Sequence, residues 1–334
     1  MAPRQRILSG MQPSGRLHLG NYVGALANWV ALQDTHECFY MVADWHAVST
    51  NFADTRRIRS FTREMLFDWL AAGLDPARST IFVQSSVPEH AILHLLLSMI
   101  VPVPWLERNP TYKEQQEQLA ERDLTSYGFM GYPVLQSADI LLYRADAVPV
   151  GQDQLPHLEI TREIARRFNH LYGDVFPEPQ PLLTQTPKLP GTDGRKMSKS
   201  YNNAIYLSDP EPTVREKLRT MVTDPARKRR SDPGNPDVCP VFDLHKVFSS
   251  TAVIDRVNVE CRTAAIGCIE CKGLLADAVV GRLQPIWERR AALEEDPTAV
   301  ERAIKAGAER ARATASQTLD AVNAAMHLGG PMSD

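Results

Sequence analysis

The sequence predicts an α/β protein, a doubly wound parallel sheet followed by a second, all-helical domain. Two observations predict it. Through the first half, short apolar runs alternate with amphipathic helical patterns, and from about residue 205 onward the pattern gives way to Ala-, Glu- and Arg-rich helices. The elements follow in order. "RILSG" (6–10) reads as a strand ending in a turn, and behind it Tyr22, Val23, Leu26, Trp29 and Val30 recur at helical spacing. "CFYMVAD" (38–44) is a second buried strand. Asp54 is placed to cap a helix in which Ile58, Phe61, Met65, Trp69 and Leu70 share a face, and Gly73 ends it. "STIFVQS" (79–85) is a third strand, followed by an apolar helix over 90–101. "YPVLQSADILLY" (132–143) is helical after its proline, and "AVPVG" (147–151) is a short strand leading into a helix around 155–172.

In the second half "TVREKLRTMVT" (213–223) is helical, "DPARKRRSDPGNPDVCPVFD" (224–243) is a Pro/Gly/Arg-rich connection, and helices fill the remainder. The expected units are an α/β domain over 1–205, a helical domain over 206–290, and a terminal helix over 291–334 that packs back on the first.

Composition bounds the function. A chain of 334 residues, 43% apolar and 23% charged, can bury a substantial core. A net charge of −3 provides no global basic field, so any nucleic-acid contact falls to local patches. No apolar run reaches membrane-spanning length, and "MAPRQRILSGMQ" enters a strand-like run without a signal-peptide core, so the expected compartment is the cytoplasm and no membrane is a partner. Five cysteines there do not suggest a disulfide framework; clustered ones suggest metal.

Three stretches carry chemistry. "SGMQPSGRLHLGNYVGAL" after the first strand is a Gly-, Ser- and Pro-rich loop opening a helix, a setting whose free N–H groups suit phosphate. Gly20 would permit close backbone approach, with His18, Gln12 and Asn21 supplying hydrogen-bonding groups; taken singly, His18 is equally a satisfied loop histidine. "GRKMSKS" (194–200) offers two ammonium groups and two hydroxyls, suited to polyphosphate oxygens; alone it could be a solvated loop. Cys239, Cys261, Cys268 and Cys271 form C-x21-C-x6-C-x2-C, too clustered for four independent buried hydrophobes, whereas Cys38 sits alone in a strand.

Taken together, "HLGN" and "KMSKS" resemble the two ATP-handling signatures of the class I aminoacyl-tRNA synthetases, and "GMQPSGRLHLGNYVGAL" is similar more narrowly to the tryptophanyl branch. The resemblance continues through "ADWHA" (43–47), "YPVLQSADILLY" and "VPVGQDQLPHLEITREIARRFN" (148–169), covers most of 6–206, and weakens in the C-terminal helices. Asn21 stands where the general signature has a second histidine, as is usual in this branch.

The resemblance implies a Rossmann-type catalytic domain that activates L-tryptophan with ATP and Mg²⁺, forming Trp-AMP and pyrophosphate, and then acylates the 3′-terminal ribose of tRNA(Trp). It implies catalytic roles for Lys196, Lys199 and His18. ATP would be bound by Gln12, Pro13, Ser14, Gly20, Asn21, Gly151, Gln152, Asp153 and Leu189, together with Met197, Ser198 and Ser200 beside the lysines. Asp153 could instead be a plain helix cap. Tryptophan would be bound by Asp139, Tyr132, Gln136 and Gln154, Asp139 being the acceptor for a donor-only indole N–H. Gln136 replaces a methionine found in one version of the family. Some bacterial members carry a cysteine spacing one residue different in its first gap that binds [4Fe–4S]; the resemblance implies that cluster here, with zinc the alternative. A homodimer and an anticodon-reading helical domain are implied too, with "ARKRR" (226–230) either facing RNA phosphate or simply solvated. The rivals are a tyrosine-specific relative and a non-catalytic RNA-binding paralogue.

Overall fold

The computed structural model describes residues 4–108, 126–183 and 188–329, apart from the side chains of Thr50 and Asp153. Five strands, β1 (Arg6–Met11), β2 (Glu37–Val42), β3 (Ser79–Val83), β4 (Ala147–Val150) and β5 (Gln180–Leu183), pair in parallel in the order β3-β2-β1-β4-β5. The alternation of strand side chains explains the two-sided architecture. Ile7, Tyr40 and Ile81 join one apolar cluster, while Leu8, Phe39, Met41 and Phe82, one position along, join another on the opposite face. Both faces therefore need helices.

Helix α1 (19–32) is built from Leu19–Asn21, a π-helical turn at Tyr22–Leu26, and Ala27–Leu32. The π turn lies beside the signature loop, where such distortions commonly accompany a site. The connections then run through α2 (Asp44–Asn51), α3 (Ile58–Ala72), α4 (Glu89–Ser98), α5 (Val103–Glu107), α6 (Tyr127–Leu142) and α7 (Leu155–Tyr172). Helix α3 ends where expected, on Gly73 at φ 115, whose N–H returns to Leu70 and Trp69 carbonyls. Its start differs from expectation. Asp54 does not cap it; the carboxylate takes the Arg56 N–H and guanidinium, and the helix begins after Arg57. Helix α6 likewise starts before its proline, because Ser126 Oγ accepts the Phe129 N–H and Phe129 and Tyr132 bury on the core side; Pro133 sits inside. Strand β5, "QPLL", was not foreseen. It is a short edge strand with a proline, tolerated where one side of the ladder is free.

The remainder is helical: α8 (Glu211–Thr220), α9 (Pro240–Phe248), α10 (Thr251–Arg262), α11 (Cys268–Glu295) and α12 (Pro297–Ala325). Leu283 and Ile286 of α11 share an apolar cluster with Met65 and Trp69 of α3. Helix α12 returns to the sheet, its Ala308, Ala311, Ala315 and Leu319 entering the second cluster. The approach is so close that a Cβ on Gly307 would lie 1.9 Å from the Ile81 carbonyl oxygen. Cys38 is a small buried hydrophobe in β2. Among the described residues no helix is long and apolar enough to cross a membrane.

Candidate active site

Strand order reverses at β1, whose neighbours β2 and β4 lead their connections to opposite faces, and ligands in open α/β sheets enter at that crevice. Two cavities meet there. One, of about 430 Å³, is lined among others by Asn28, Gln136, Asp139, Gly151 and Gln154. The other, of about 740 Å³, is lined by Pro13, Ser14, His18, Asn21, Arg57, Ser198, Lys199 and Ser200. Gln12 and Tyr132 border both. The loop after β1, helix α6 and the "KMSKS" segment are thus brought to one crevice.

Asp139 is the polar floor of the smaller cavity and only 2% exposed. His46 Nε2–H donates to Oδ2 at 2.7 Å, while His90 Nδ1–H (2.7 Å) and Gln84 Nε2 (2.8 Å) donate to Oδ1. These donors are themselves held. Gln84 Oε1 accepts the Trp45 N–H, and His90 Nε2 meets the Tyr143 hydroxyl at 2.8 Å. Burial alone would raise the Asp139 pKa; His46 and His90 overcome it and hold the carboxyl well below the usual carboxylate range. A carboxylate has about four acceptor positions, and three are filled. His46, Gln84 and His90 were not anticipated, although "ADWHA" contains the first and a buried acid requires partners. Asn28 is a further unanticipated group: its Nδ2 is a buried donor without a partner among the described residues.

Local chemistry also shapes the larger cavity. His18 and Asn21 form a reciprocal cap on α1, with His18 N–H donating to Asn21 Oδ1 (3.1 Å) and Asn21 N–H to His18 Nδ1 (3.2 Å). Because Nδ1 accepts, the ring proton belongs on Nε2. Burial, with the charges of Lys199 and Lys196 adding, lowers the His18 pKa to about 4, so the ring is a neutral donor at physiological pH. Lys199 Nζ donates to Ser14 Oγ (3.0 Å) and Gly15 O (3.1 Å), docking one signature loop on the other. Burial lowers its pKa to about 8, partly countered by Asp68. The "KMSKS" loop is a built turn: the Asn203 side chain, 2% exposed, accepts the Ser198 N–H and donates to Asp193 Oδ1 and Lys196 O.

Not every anticipated residue reaches the cavities. Lys196 and Gln152 are exposed and line neither. Met197 and Leu189 are 3% exposed and belong to the core, joined by the Met197 N–H to the Leu189 carbonyl, so "KMSKS" is not wholly outside the core. Gly20 serves the histidine: a Cβ there would stand 3.0 Å from His18 Cε1 and Nδ1. The Asp153 side chain lies outside the described residues.

The four clustered cysteines converge from different elements: Cys239 caps α9, Cys261 ends α10, and Cys268 and Cys271 open α11. Burial pushes the Cys271 thiol up to about 12, and the thiols of Cys239, Cys261 and Cys268 add to it. Cys271 Sγ also lies 3.5 Å from His245 Nε2, and an Arg227 Nη stands 3.8 Å from Cys261 Sγ. Among the described residues, no group of three or more His, Cys, Asp or Glu stands close enough to hold a metal ion. Of "ARKRR", Arg227 and Arg230 donate to the carbonyls of Arg230, Ile266 and Ala265, and Lys228, Arg229 and Arg230 are all exposed.

Comparison with known proteins gives the family. A family model described as tRNA synthetases class I (W and Y) matches residues 2–284. A Tryptophan--tRNA ligase from Thermotoga maritima is 54% identical over 97% of the chain and 99% of its own length, and one from Aquifex aeolicus is 43% identical over 97% and 100%. Among solved structures, Tryptophanyl-tRNA Synthetase from Campylobacter jejuni, complexed with ADP and tryptophan, superposes with a TM-score of 0.87 at 32% identity, covering 97% of this chain and all of that one.

Proposed function

The chain belongs to the class I tRNA synthetases for tryptophan and tyrosine, and we propose that Asp139, His18 and Lys199 divide its chemistry between the two cavities. Its reaction is the ATP-dependent ligation of L-tryptophan to tRNA. The observation that carries the assignment of roles is the pair of contiguous cavities sharing Gln12 and Tyr132, one floored by a carboxylate and the other lined by Lys199, Ser14 and His18. Tryptophan enters the first with its indole N–H on the remaining acceptor position of Asp139. Gln12, Tyr132, Gln136 and Gln154 surround its ammonium and carboxylate groups. The triphosphate occupies the second.

A tryptophan carboxylate oxygen attacks the α-phosphorus, the bond from that phosphorus to the bridging oxygen of the β-phosphate breaks, and pyrophosphate leaves. Little covalent work falls to the protein, so positioned positive charge and donors supply the rate. Lys199 provides an ammonium, His18 a neutral Nε2–H, and Ser198 and Ser14 hydroxyls. Lys196, exposed near the mouth, adds charge as the loop closes over the nucleotide. Mg²⁺, when bound, screens the β- and γ-phosphates. In the second step a terminal ribose hydroxyl of tRNA attacks the tryptophanyl carbonyl carbon and AMP departs. Gly151, Gln152 and Asp153 are assigned to the ribose side of the nucleotide.

Two partners complete the proposal. Ile92 and Leu95 of α4, Met99 just after it, Val103 of α5 and Tyr127 at the start of α6 are exposed apolar side chains, and a second copy of the chain is the partner proposed to cover them, giving a homodimer. Cys239, Cys261, Cys268 and Cys271 are the ligands assigned to a [4Fe–4S] cluster. What supports the reading is the donor set, four thiols within 33 residues brought together from α9, α10 and α11, with the other three thiols raising the Cys271 pKa. The cluster would brace the helical domain, whose Lys228 and Arg229 are the cations free to meet RNA phosphate. Iron and sulfide analysis of anaerobically purified protein tests it, and a colourless zinc protein refutes it. The reaction is tested by ATP–pyrophosphate exchange with tryptophan, tyrosine and phenylalanine side by side. Exchange with tryptophan alone, slowed in Lys199→Ala, is the expected result; exchange with tyrosine overturns the Asp139 assignment.

A further inference from the structure

Helix α3 carries a fully buried acid that the reaction does not use. Asp68 is 0% exposed and sits among Phe67, Trp69 and Leu70, all buried. Its Oδ1 accepts from Arg290 Nη1 of α11 at 2.5 Å. Its Oδ2 accepts the N–H of Leu17 at 3.2 Å, the residue directly before His18. One carboxylate therefore joins the helical domain to the first signature loop. Its charge also reaches Lys199, the second signature, which itself is bound to Ser14 and Gly15 of that loop.

Arg290 is built for this contact. Its side chain is 11% exposed, its other nitrogens meet Glu64 at 2.7 Å and Glu294 at 2.8 Å, and its guanidinium stands over the Phe67 ring at 5.8 Å. Glu64 and Asp68 lie one helical turn apart, so a single arginine of α11 grips α3 twice. Neighbouring Arg289 donates to the Ala71 carbonyl at the end of the same helix. Burying an unpaired carboxylate is costly, so withdrawing Arg290 would drive Asp68 to release or re-aim its other contacts. Among the described residues the backbone group it holds is the Leu17 N–H.

We infer that Asp68 is a positioning residue through which the seating of the helical domain on α3, by way of Arg290, sets the placement of His18 and Lys199 at the phosphate end of the site. The inference rests on the proposed reaction. It assigns no contact between Asp68 and substrate. Its effect is expected at the phosphate end, because among the described residues Asp139 and His46 bond to each other, Tyr132 meets His157, and none of them pairs with Asp68 or Arg290.

The test compares Asp68→Asn, Arg290→Gln, Arg290→Lys and the double variant Asp68→Asn/Arg290→Gln with the wild type, using full-length protein. Steady-state exchange yields kcat and KM for ATP, and calorimetric titration yields the tryptophan Kd. Each removal is expected to lower kcat/KM for ATP about tenfold, within the usual span of coupling between sites, while the tryptophan Kd stays within twofold. Arg290→Lys should recover part of the loss, and the double variant should be no worse than the worse single one. If Asp68→Asn does not fold, the two Arg290 variants carry the comparison. Unchanged ATP parameters in folded Arg290→Gln overturn the inference. So does an equal loss in tryptophan affinity, which would mean general loosening, and so does an additive double variant. A wild type that exchanges with no amino acid overturns the proposed reaction and the inference together, whereas an active wild type with indifferent variants overturns the inference alone.

Discussion

Asp139→Asn offers the sharpest test of how the indole is chosen. Alanine would be uninformative: it leaves the His46, His90 and Gln84 donors buried without an acceptor, at about 1–3 kcal/mol each, enough to unfold a protein of ordinary stability. Asparagine keeps the shape and one acceptor. Its carbonyl oxygen can retain the two donors that now reach Oδ1, from His90 and Gln84, which places the amide NH₂ where Oδ2 was. That position faces His46 Nε2, which in its other tautomer accepts where it now donates, so the fold tolerates the change. The indole N–H then meets a donor. Losing one hydrogen bond to a charged acceptor costs about 1.5–3 kcal/mol, which corresponds to a fall in kcat/KM for tryptophan of about 10- to 10²-fold. The assay is exchange kinetics with tryptophan and with the analogue in which sulfur replaces the indole N–H. Wild type should prefer tryptophan by about 10² or more, and the variant by less than about tenfold. A variant that loses equally on both amino acids, or keeps kcat/KM within about threefold of wild type, refutes the role of Asp139 as indole acceptor.

Three further outcomes are expected. Lys199, with its pKa lowered to about 8, is mostly charged at neutral pH and loses its proton as pH rises through that value, so kcat/KM for ATP should fall above about pH 8; His18, at about 4, should add no limb between pH 5 and 7. A flat profile from pH 7 to 10 would remove Lys199 from phosphate binding. Gly307→Ala forces a methyl into backbone 1.9 Å away, so α12 must lift from β3; the melting temperature should drop by about 5–10 °C, for a loss of about 3 kcal/mol, and a shift under about 2 °C would show that the helix adjusts freely. Gly20→Ala presses a Cβ on the His18 ring at 3.0 Å and should raise the KM for ATP several-fold with the melting temperature nearly unchanged; the reverse pattern would make Gly20 a stability residue only.

How far the site could be read from sequence follows from what each residue answers to. The doubly wound sheet was legible because buried strands leave contiguous apolar runs, and β5 was not, because a four-residue edge strand half open to solvent leaves no such run. Gln12, Ser14, His18, Asn21, Ser198 and Lys199 were legible because their motifs are local and turn-bound. The burial of Met197 was not legible, for the opposite reason. Its polar neighbours suggested a loop clear of the core, but a loop that holds a fixed shape needs an anchor, and Met197 with Leu189 provides it. His46, Gln84 and His90 come from three separate elements and meet only through Asp139, so no spacing announces them. The same holds for Asp68 and Arg290, 222 residues apart.

The two ends of the crevice have opposite electrical character, and that alone orders a substrate. At one end a buried carboxylate, held ionised by two histidines, repels phosphate and welcomes a donor. At the other, an ammonium and a neutral imidazole N–H attract phosphate and offer nothing to an indole that can only donate. A polyanion entering the wrong way would bring like charges together in a dry pocket, a cost of several kcal/mol. A ligand with an N–H at one tip and anionic oxygens at the other is aligned before any contact closes. Tryptophanyl adenylate is such a molecule, and its two halves arrive separately, each drawn to its own end. On the proposed assignment, the junction at Gln12 and Tyr132 is where carboxylate and α-phosphorus meet, and selection of the amino acid and orientation of its attack would then come from one polarity built into the fold.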